Sequence, residues 1–400
     1  MNTASQQPAT RSERRYDLDW LRVLTILTVF VFHSFRFFDL DGWHVKNAST
    51  YLGIQIWTNF LVHWMMPLVF VISGVSTFFA LGTRGAGRFV KDRVLRLLVP
   101  LLVGIFTHVM AQVYLERLSH GQFSGTFLEF VPHYFDGMYG FGGNFAWMGL
   151  HLWYLEILFV FSVLLLPFFL WLKHGTEQRG LTKLAGFLAR RLAVYLLALP
   201  IMLLLVLLDT DSILGRRDFG GWSLVSYILF FIYGFLLVAH AGLQQSIRRQ
   251  RWLSLILGVA LVLLVLCMWT AWSDPVFGTP RFGLFFSLYG FSSWCWILAI
   301  LGFGMEHLHF NSPRLRYANE AVLPFYVLHQ SILIGVGYFV VQWPLPGGLK
   351  WLIIAPTSFA IIAFLYEFFV KRVDALRFLF GLKRLPKATA AALVDRQVHP

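Results

Sequence analysis

Two ionisable residues in the first long apolar stretch are spaced for chemistry. Arg22 and His33, in DLDWLRVLTILTVFVFH, are eleven positions apart, which on an α-helix is ~16.5 Å of rise and three turns with only ~20° of residual rotation. They share one face. An arginine can hold an anionic phosphate at a membrane surface. A histidine deeper in can act as general base, because its ordinary pKa lies closest to neutral. With Arg22 at the edge of the hydrocarbon, His33 is expected near mid-membrane. In isolation the pair is better read as a positive anchor and a buried histidine satisfied by a backbone carbonyl; what favours chemistry is the rest of the chain.

Charged groups inside apolar spans cost ~2.5–3.5 kcal/mol on insertion scales, so each needs a partner or a task. His151 opens HLWYLEILFVF beside Trp153, as either an interfacial belt residue or one that orients an acceptor. Glu156, about half a turn round from His151, is a candidate to orient an imidazole such as His33 or to bind acceptor hydroxyls. His329 lies within YANEAVLPFYVLHQSILIG. His63 and His108 read as interhelical hydrogen-bonders, and Ser73-Gly74 as a close helix contact. Asp19, three residues before Arg22, reads as an arginine's partner, and Glu367 as a partner for a basic residue.

The elements that must position these residues are membrane helices. Of 400 residues 58% are hydrophobic and 13% charged, against ~25% charged in soluble domains. The apolar residues fall in blocks near the ~20 needed to cross a ~30 Å hydrocarbon core. The blocks lack the strict alternation of barrel strands. The expected class is an all-α polytopic membrane protein of about ten spans, near 20–38, 56–81, 95–116, 149–172, 193–208, 222–240, 252–272, 282–304, 322–342 and 351–370. A membrane domain over 17–380 is flanked by tails at 1–16 and 381–400. The first block is expected to remain as a span, because it lacks a small-residue cleavage pattern.

The net charge of +13 argues for topology rather than nucleic acid. Of the 33 Lys and Arg, 26 fall in the two termini and in alternate loops, the distribution expected if both termini are cytoplasmic. Cys267 and Cys295 both lie inside apolar blocks, which suits neither a disulfide framework nor a thiolate metal site, and no metal is expected. Residues 117–148, rich in aromatics and glycine, form the one long loop on the other side and are a candidate lid.

These segments in this order resemble the acyltransferase-3 family of integral-membrane O-acyltransferases. The likeness runs over about residues 17–380 and is carried most specifically by the Arg-x10-His pair, with Ser73-Gly74, Arg93 and Arg96 before Pro100, His151-Leu152-Trp153 and His329 in support. The tail LYEFFVKRVDALRFLFGLK looks like that of a glucan-modifying subgroup that places succinyl groups on periplasmic glucans. The resemblance implies acyl transfer from cytoplasmic acyl-CoA, acetyl-CoA or succinyl-CoA, to a hydroxyl of an extracytoplasmic carbohydrate across the bacterial inner membrane. It implies His33 as catalytic base with Arg22 as its essential companion, and Arg93 and Arg96 on the donor; read from the residues themselves, Arg22 joins them on the donor phosphates, and His151, Glu156 and His329 are candidates for acceptor or supporting roles. Acyl-CoA is a co-substrate; no permanently bound cofactor is implied, and the remaining partner is membrane lipid. Some family members carry an added soluble esterase-like domain; with none read here, acceptor acylation is expected within the membrane domain. The rival classes are a multi-span transporter and a glycolipid flippase. Carriers often show two repeat-related halves, and residues 1–200 and 201–400 show no such correspondence.

Overall fold

The computed structural model describes residues 14–173, 175–271 and 275–385. Arg11, Lys387 and Arg396, counted above toward the basic side, lie outside those residues, as does most of each expected tail. Among the described residues the secondary structure is helical, with only isolated β-bridges besides. In chain order the helices are α1 (Tyr16–Phe35), α2 (Leu52–Val62), α3 (Met65–Thr83), α4 (Ala86–Arg93), α5 (Val99–Ile105), α6 (His108–Ser119), α7 (Phe127–His133), α8 (Trp153–Leu164), α9 (Leu166–Lys173), α10 (Gly175–Leu188), α11 (Ala198–Leu207), α12 (Leu224–Leu237), α13 (Ala241–Ala271), α14 (Pro280–His307), α15 (Pro313–Val340), α16 (Gly347–Leu365) and α17 (Asp374–Leu379). π-helical turns at Val94–Leu98 and Tyr366–Val370 join α4 to α5 and extend α16.

Six of these are long and apolar enough to cross a membrane: α1, α2 with α3, α13, α14, α15 and extended α16. The number rises to nine if each bent pair counts once, with bends of 41° before α6, 48° between α8 and α9, and 113° before α11. The expected span at 222–240 is α12, whose 14 residues rise ~21 Å and fall short of the hydrocarbon thickness. The expectation of about ten spans therefore becomes six to nine by this measure. Helices also outrun their apolar blocks. α13 starts at Ala241, through the polar QQSIRRQR, and α15 starts at Pro313, with the Ser312 hydroxyl accepting from the Arg314 backbone N–H. A helix continues past the hydrocarbon until a cap ends it, so a block of apolar residues marks only its middle.

Close crossings set the scaffold. A Cβ on Gly74 would stand 2.0 Å from the Phe231 carbonyl oxygen, and one on Gly234 1.9 Å from that of Val71, so α3 and α12 touch backbone to backbone as small residues allow. This bears out the reading of Ser73-Gly74 as a contact. α1 packs on α15, where Gly337 admits the Phe37 ring, and this contact faces Arg22 and His33 toward one helix. The termini of α1 and α16 and the Arg-rich α3–α4 turn share one end of the bundle, here the basic end. The loops at 36–51 and 120–149 lie at the far end.

Candidate functional site

At the basic end a cavity of about 760 Å³ opens between α1, α3, the π turn at Val94–Leu98, α8 and α15. Among the described residues, eight Lys or Arg side chains line it against one carboxylate, Glu320, which Arg377 already engages at 2.6 Å. Arg22 donates to Ser76 Oγ at 2.8 Å and Asn319 Oδ1 at 3.2 Å, with Asp19 3.6 Å away as the expected ion-pair partner. Arg93 donates to Thr77 Oγ1 at 2.8 Å and lies 4.8 Å over the Phe89 ring. Arg96 stands exposed on the rim. Its helix is π-wound at that point because Pro100, four residues on, has no N–H to offer and its ring crowds the Arg96 carbonyl. At the deep end the Tyr154 hydroxyl meets Ser73 Oγ at 2.6 Å, and the Tyr326 hydroxyl donates to the His151 carbonyl oxygen.

One turn beyond Tyr326 lies a row of imidazoles. The His33 and His329 rings are 5.0 Å apart, as are those of His329 and His151, and His108 follows at 6.3 Å from His151. Their hydrogen bonds fix their tautomers, because a carbonyl oxygen only accepts. His329 Nδ1 donates to Tyr326 O at 2.5 Å, so its Nε2 is a lone pair. That lone pair is 3.1 Å from His33 Nδ1, which is also 3.0 Å from Val29 O. His33 must therefore carry its proton on Nδ1, shared between these two acceptors. Its Nε2 is left with a lone pair and makes no hydrogen bond among the described residues. A neutral imidazole held this way can take a proton at one defined atom. His151 is the opposite tautomer, with Nε2 donating to Val327 O at 3.0 Å. It is presented by the turn Leu150–Leu152, where Leu150 itself has φ +52°, an uncommon conformation for a non-glycine residue.

A second polar chain reaches the far end. Gln330 Nε2 donates to His44 Nε2 at 3.1 Å and to Gln112 Oε1 at 3.2 Å; Gln112 Nε2 in turn faces His151 Nδ1 at 3.3 Å and Ser331 Oγ at 2.5 Å. His44 Nδ1 donates to Glu116, whose two oxygens also accept from Tyr139 O–H at 2.9 Å. Tyr139 comes from the glycine-rich loop. Arg117 fixes that loop, bonding Asn144 Oδ1 at 2.8 Å and Gly143 O at 3.0 Å. Burial and the Glu116 carboxylate raise the Tyr139 hydroxyl's pKa above its usual value, so Tyr139 stays a donor.

The structure thus brings His33, His151 and His329 together, and Arg22, Arg93 and Arg96 together on the cavity below them. It does not bring Glu156 to either group. Glu156 shares the outward stripe of α8 with exposed Val160 and Val163 and makes no hydrogen bond or ion pair among the described residues. α1 begins at Tyr16, so Arg22 is already more than a turn inside the helix and His33 is two residues from its end, although it faces the middle of α15. His108 bonds Ser331 Oγ at 2.7 Å across helices as expected, and Glu367 pairs with Lys371 at 2.9 Å. His63 instead bonds its own helix at Asn59 O and touches Tyr289 through its ring. Sequence reasoning missed Tyr154, Tyr326, Gln112, Gln330, Ser331, His44, Glu116 and Tyr139. The run His329-Gln330-Ser331, three polar residues in an apolar helix, was a usable signal; His44 with Glu116, 72 residues apart, offered none.

A family model described as an acyltransferase domain matches residues 15–367. Among curated relatives, glucans biosynthesis protein C of Salmonella paratyphi A is 24% identical over 400 residues, covering 95% of this chain and 98% of the relative. The protein of that name from Escherichia coli (strain K12) is 25% identical over 394 residues, covering 94% and 96%. No solved structure matches the chain.

Proposed function

Because the chain belongs to the acyltransferase-3 family, we propose that it moves an acetyl or succinyl group from cytoplasmic acyl-CoA to a hydroxyl of an extracytoplasmic carbohydrate. The relatives' name, glucans biosynthesis protein C, favours a glucan as acceptor. In this reading the chain spans the bacterial inner membrane with its basic end and both termini in the cytoplasm. The observation that carries it is a cationic cavity ending one helical turn below an imidazole with a bare Nε2.

Coenzyme A carries several phosphate charges and cannot enter hydrocarbon. Arg22, Arg93 and Arg96 hold those charges at the basic end, and the thin pantetheine arm runs along the Tyr154 and Tyr326 wall. Delivery of the thioester to His33 requires the Tyr326 hydroxyl, which donates to the His151 carbonyl oxygen, to move aside. His33 Nε2 then takes the proton of the acceptor hydroxyl as its oxygen attacks the thioester carbonyl. The new C–O bond forms, the C–S bond breaks, and the proton returns from His33 to the leaving thiolate, so no net proton is consumed. His329 is a positioning residue, keeping the His33 proton on Nδ1, and His151 orients the acceptor side.

The test is His33→Ala in whole cells and in detergent-solubilised protein. The expected result is loss of acyl transfer to envelope glycan, with insertion, melting temperature and coenzyme A binding retained. Normal glycan esterification by that variant would overturn the assignment of the base. An unchanged glycan mass profile in cells lacking the protein altogether would overturn the reaction.

A further inference from the structure

Beyond the family-matched residues 15–367, the chain turns through α17 and returns across the mouth of the cavity. Its position is tightly specified. Arg377, 6% exposed, spends its guanidinium on structure: Nε donates to Lys383 O at 2.8 Å, Nη1 to Lys371 O at 3.0 Å and Nη2 to Glu320 at 2.6 Å. The Leu385 backbone N–H is held by Asp374 at 2.9 Å. Gly381 has φ +71°, and a Cβ there would stand 2.9 Å from Leu323, 3.0 Å from Pro100 and 3.1 Å from the Arg96 carbonyl oxygen. A bound strap therefore presses on the π turn that carries Arg96 and brings Lys383 and Arg384 to the cavity.

Charge on this rim is uncompensated. Arg96, Arg316, Lys383 and Arg384 are all exposed and line the cavity, and none makes an ion pair among the described residues; Arg384 only lies 5.5 Å over the Phe378 ring. Glu320 is neutralised by Arg377. Four like charges on three separate elements repel one another unless an anion of more than one charge stands between them. Arg22 and Arg93 lie deeper and are partly engaged by side chains, so they suit the part of a donor nearer the thioester, and the rim suits its outermost charge.

We infer that the strap Gly381–Arg384 is the outer wall of the donor site, where Lys383 and Arg384, facing Arg96 and Arg316, hold the terminal phosphomonoester of a nucleotide thioester. This rests on the acyl-CoA reading above. It assigns a binding role to a segment outside the family-matched region, and it predicts discrimination by a single phosphate.

Equilibrium binding of coenzyme A and of 3′-dephospho-coenzyme A to the full-length protein in detergent tests it. The unaltered protein should prefer coenzyme A by about tenfold or more, the scale of one or two charge-assisted hydrogen bonds. Lys383→Gln with Arg384→Gln should abolish that preference by weakening coenzyme A alone. Arg88→Gln with Arg249→Gln, which removes equal charge outside the cavity, should leave the preference intact. Gly381→Val, which displaces the strap without altering charge, should behave like the strap pair. A preference that survives the strap pair, or that the control pair removes equally, overturns the inference while leaving the donor reading standing; equal affinity of the unaltered protein for both ligands does the same. Failure of the unaltered protein to bind coenzyme A at all overturns both.

Discussion

His33 makes the bond to a backbone carbonyl that a merely structural histidine would make, and in the proposed reaction that same bond prepares it to act as base. With Val29 O and His329 Nε2 both accepting at Nδ1, the proton cannot reside on Nε2 without losing both partners. The arrangement assigns His329 a testable role distinct from structure. His329→Leu removes the acceptor at His33 and should lower kcat by about 100-fold, within the range for misplacing an acid–base group, with KM for either substrate changed less than about twofold. His329→Gln, whose side-chain oxygen can reach the position of the lost nitrogen, should recover most of that loss. Steady-state kinetics on the two variants decide it; equal defects would leave His329 a packing residue. The Arg22 and His33 pair was legible because one helix carries both and its period is known. The tautomer was not, since it depends on Tyr326 and His329, almost 300 residues away in the chain. Glu156 shows the converse failure. An embedded carboxylate drew attention by its type alone, whereas the face of α8 on which it lies directs it away from the histidines.

At the scale of elements, the apolar blocks were readable because twenty consecutive apolar residues have few other uses. The breaks inside them were not. His108 begins α6 only because the helix bends by 41° ahead of it, and His151 faces the row only because Gly149 and Leu150 both take positive φ. These depend on what packs around each turn rather than on its composition: a Cβ on Gly104 would stand 2.3 Å from Leu152 and 3.2 Å from His108 Nε2, so the bend and the turn are fitted to one another. The α3–α12 crossing, by contrast, is built from Gly74 and Gly234 and puts a direct backbone contact behind Ser73 and Ser76. Gly234→Ala must push α12 from the Val71 carbonyl. It should destabilise the protein by about 1–3 kcal/mol, the usual cost of overpacking, and should loosen Arg22 through Ser76. A lowered melting temperature in detergent, with weaker coenzyme A binding in the protein that remains folded, is the expected result. Unchanged melting would mean that the helices can part at that point without cost.

For the whole molecule, the proposed function gives the surplus of positive charge two purposes that one topology satisfies. Basic residues resist translocation and so remain in the cytoplasm, and the same end of the bundle gathers eight Lys and Arg around a single cavity. A phosphate-bearing donor is confined to the compartment where it is made. If the basic end faced outward, the cavity would open away from its proposed donor and the positive residues would have crossed the membrane against their preference. Sidedness is therefore a test of the mechanism as well as of the fold. In a background of Cys267→Ser and Cys295→Ala, Gly142→Cys on the exposed far-end loop should react with a membrane-impermeant thiol reagent on intact inner-membrane spheroplasts. Arg249→Cys, exposed near the start of α13, should react only after the membrane is permeabilised. The reverse pattern would place the cavity outside, and cytoplasmic acyl-CoA could no longer be its ligand.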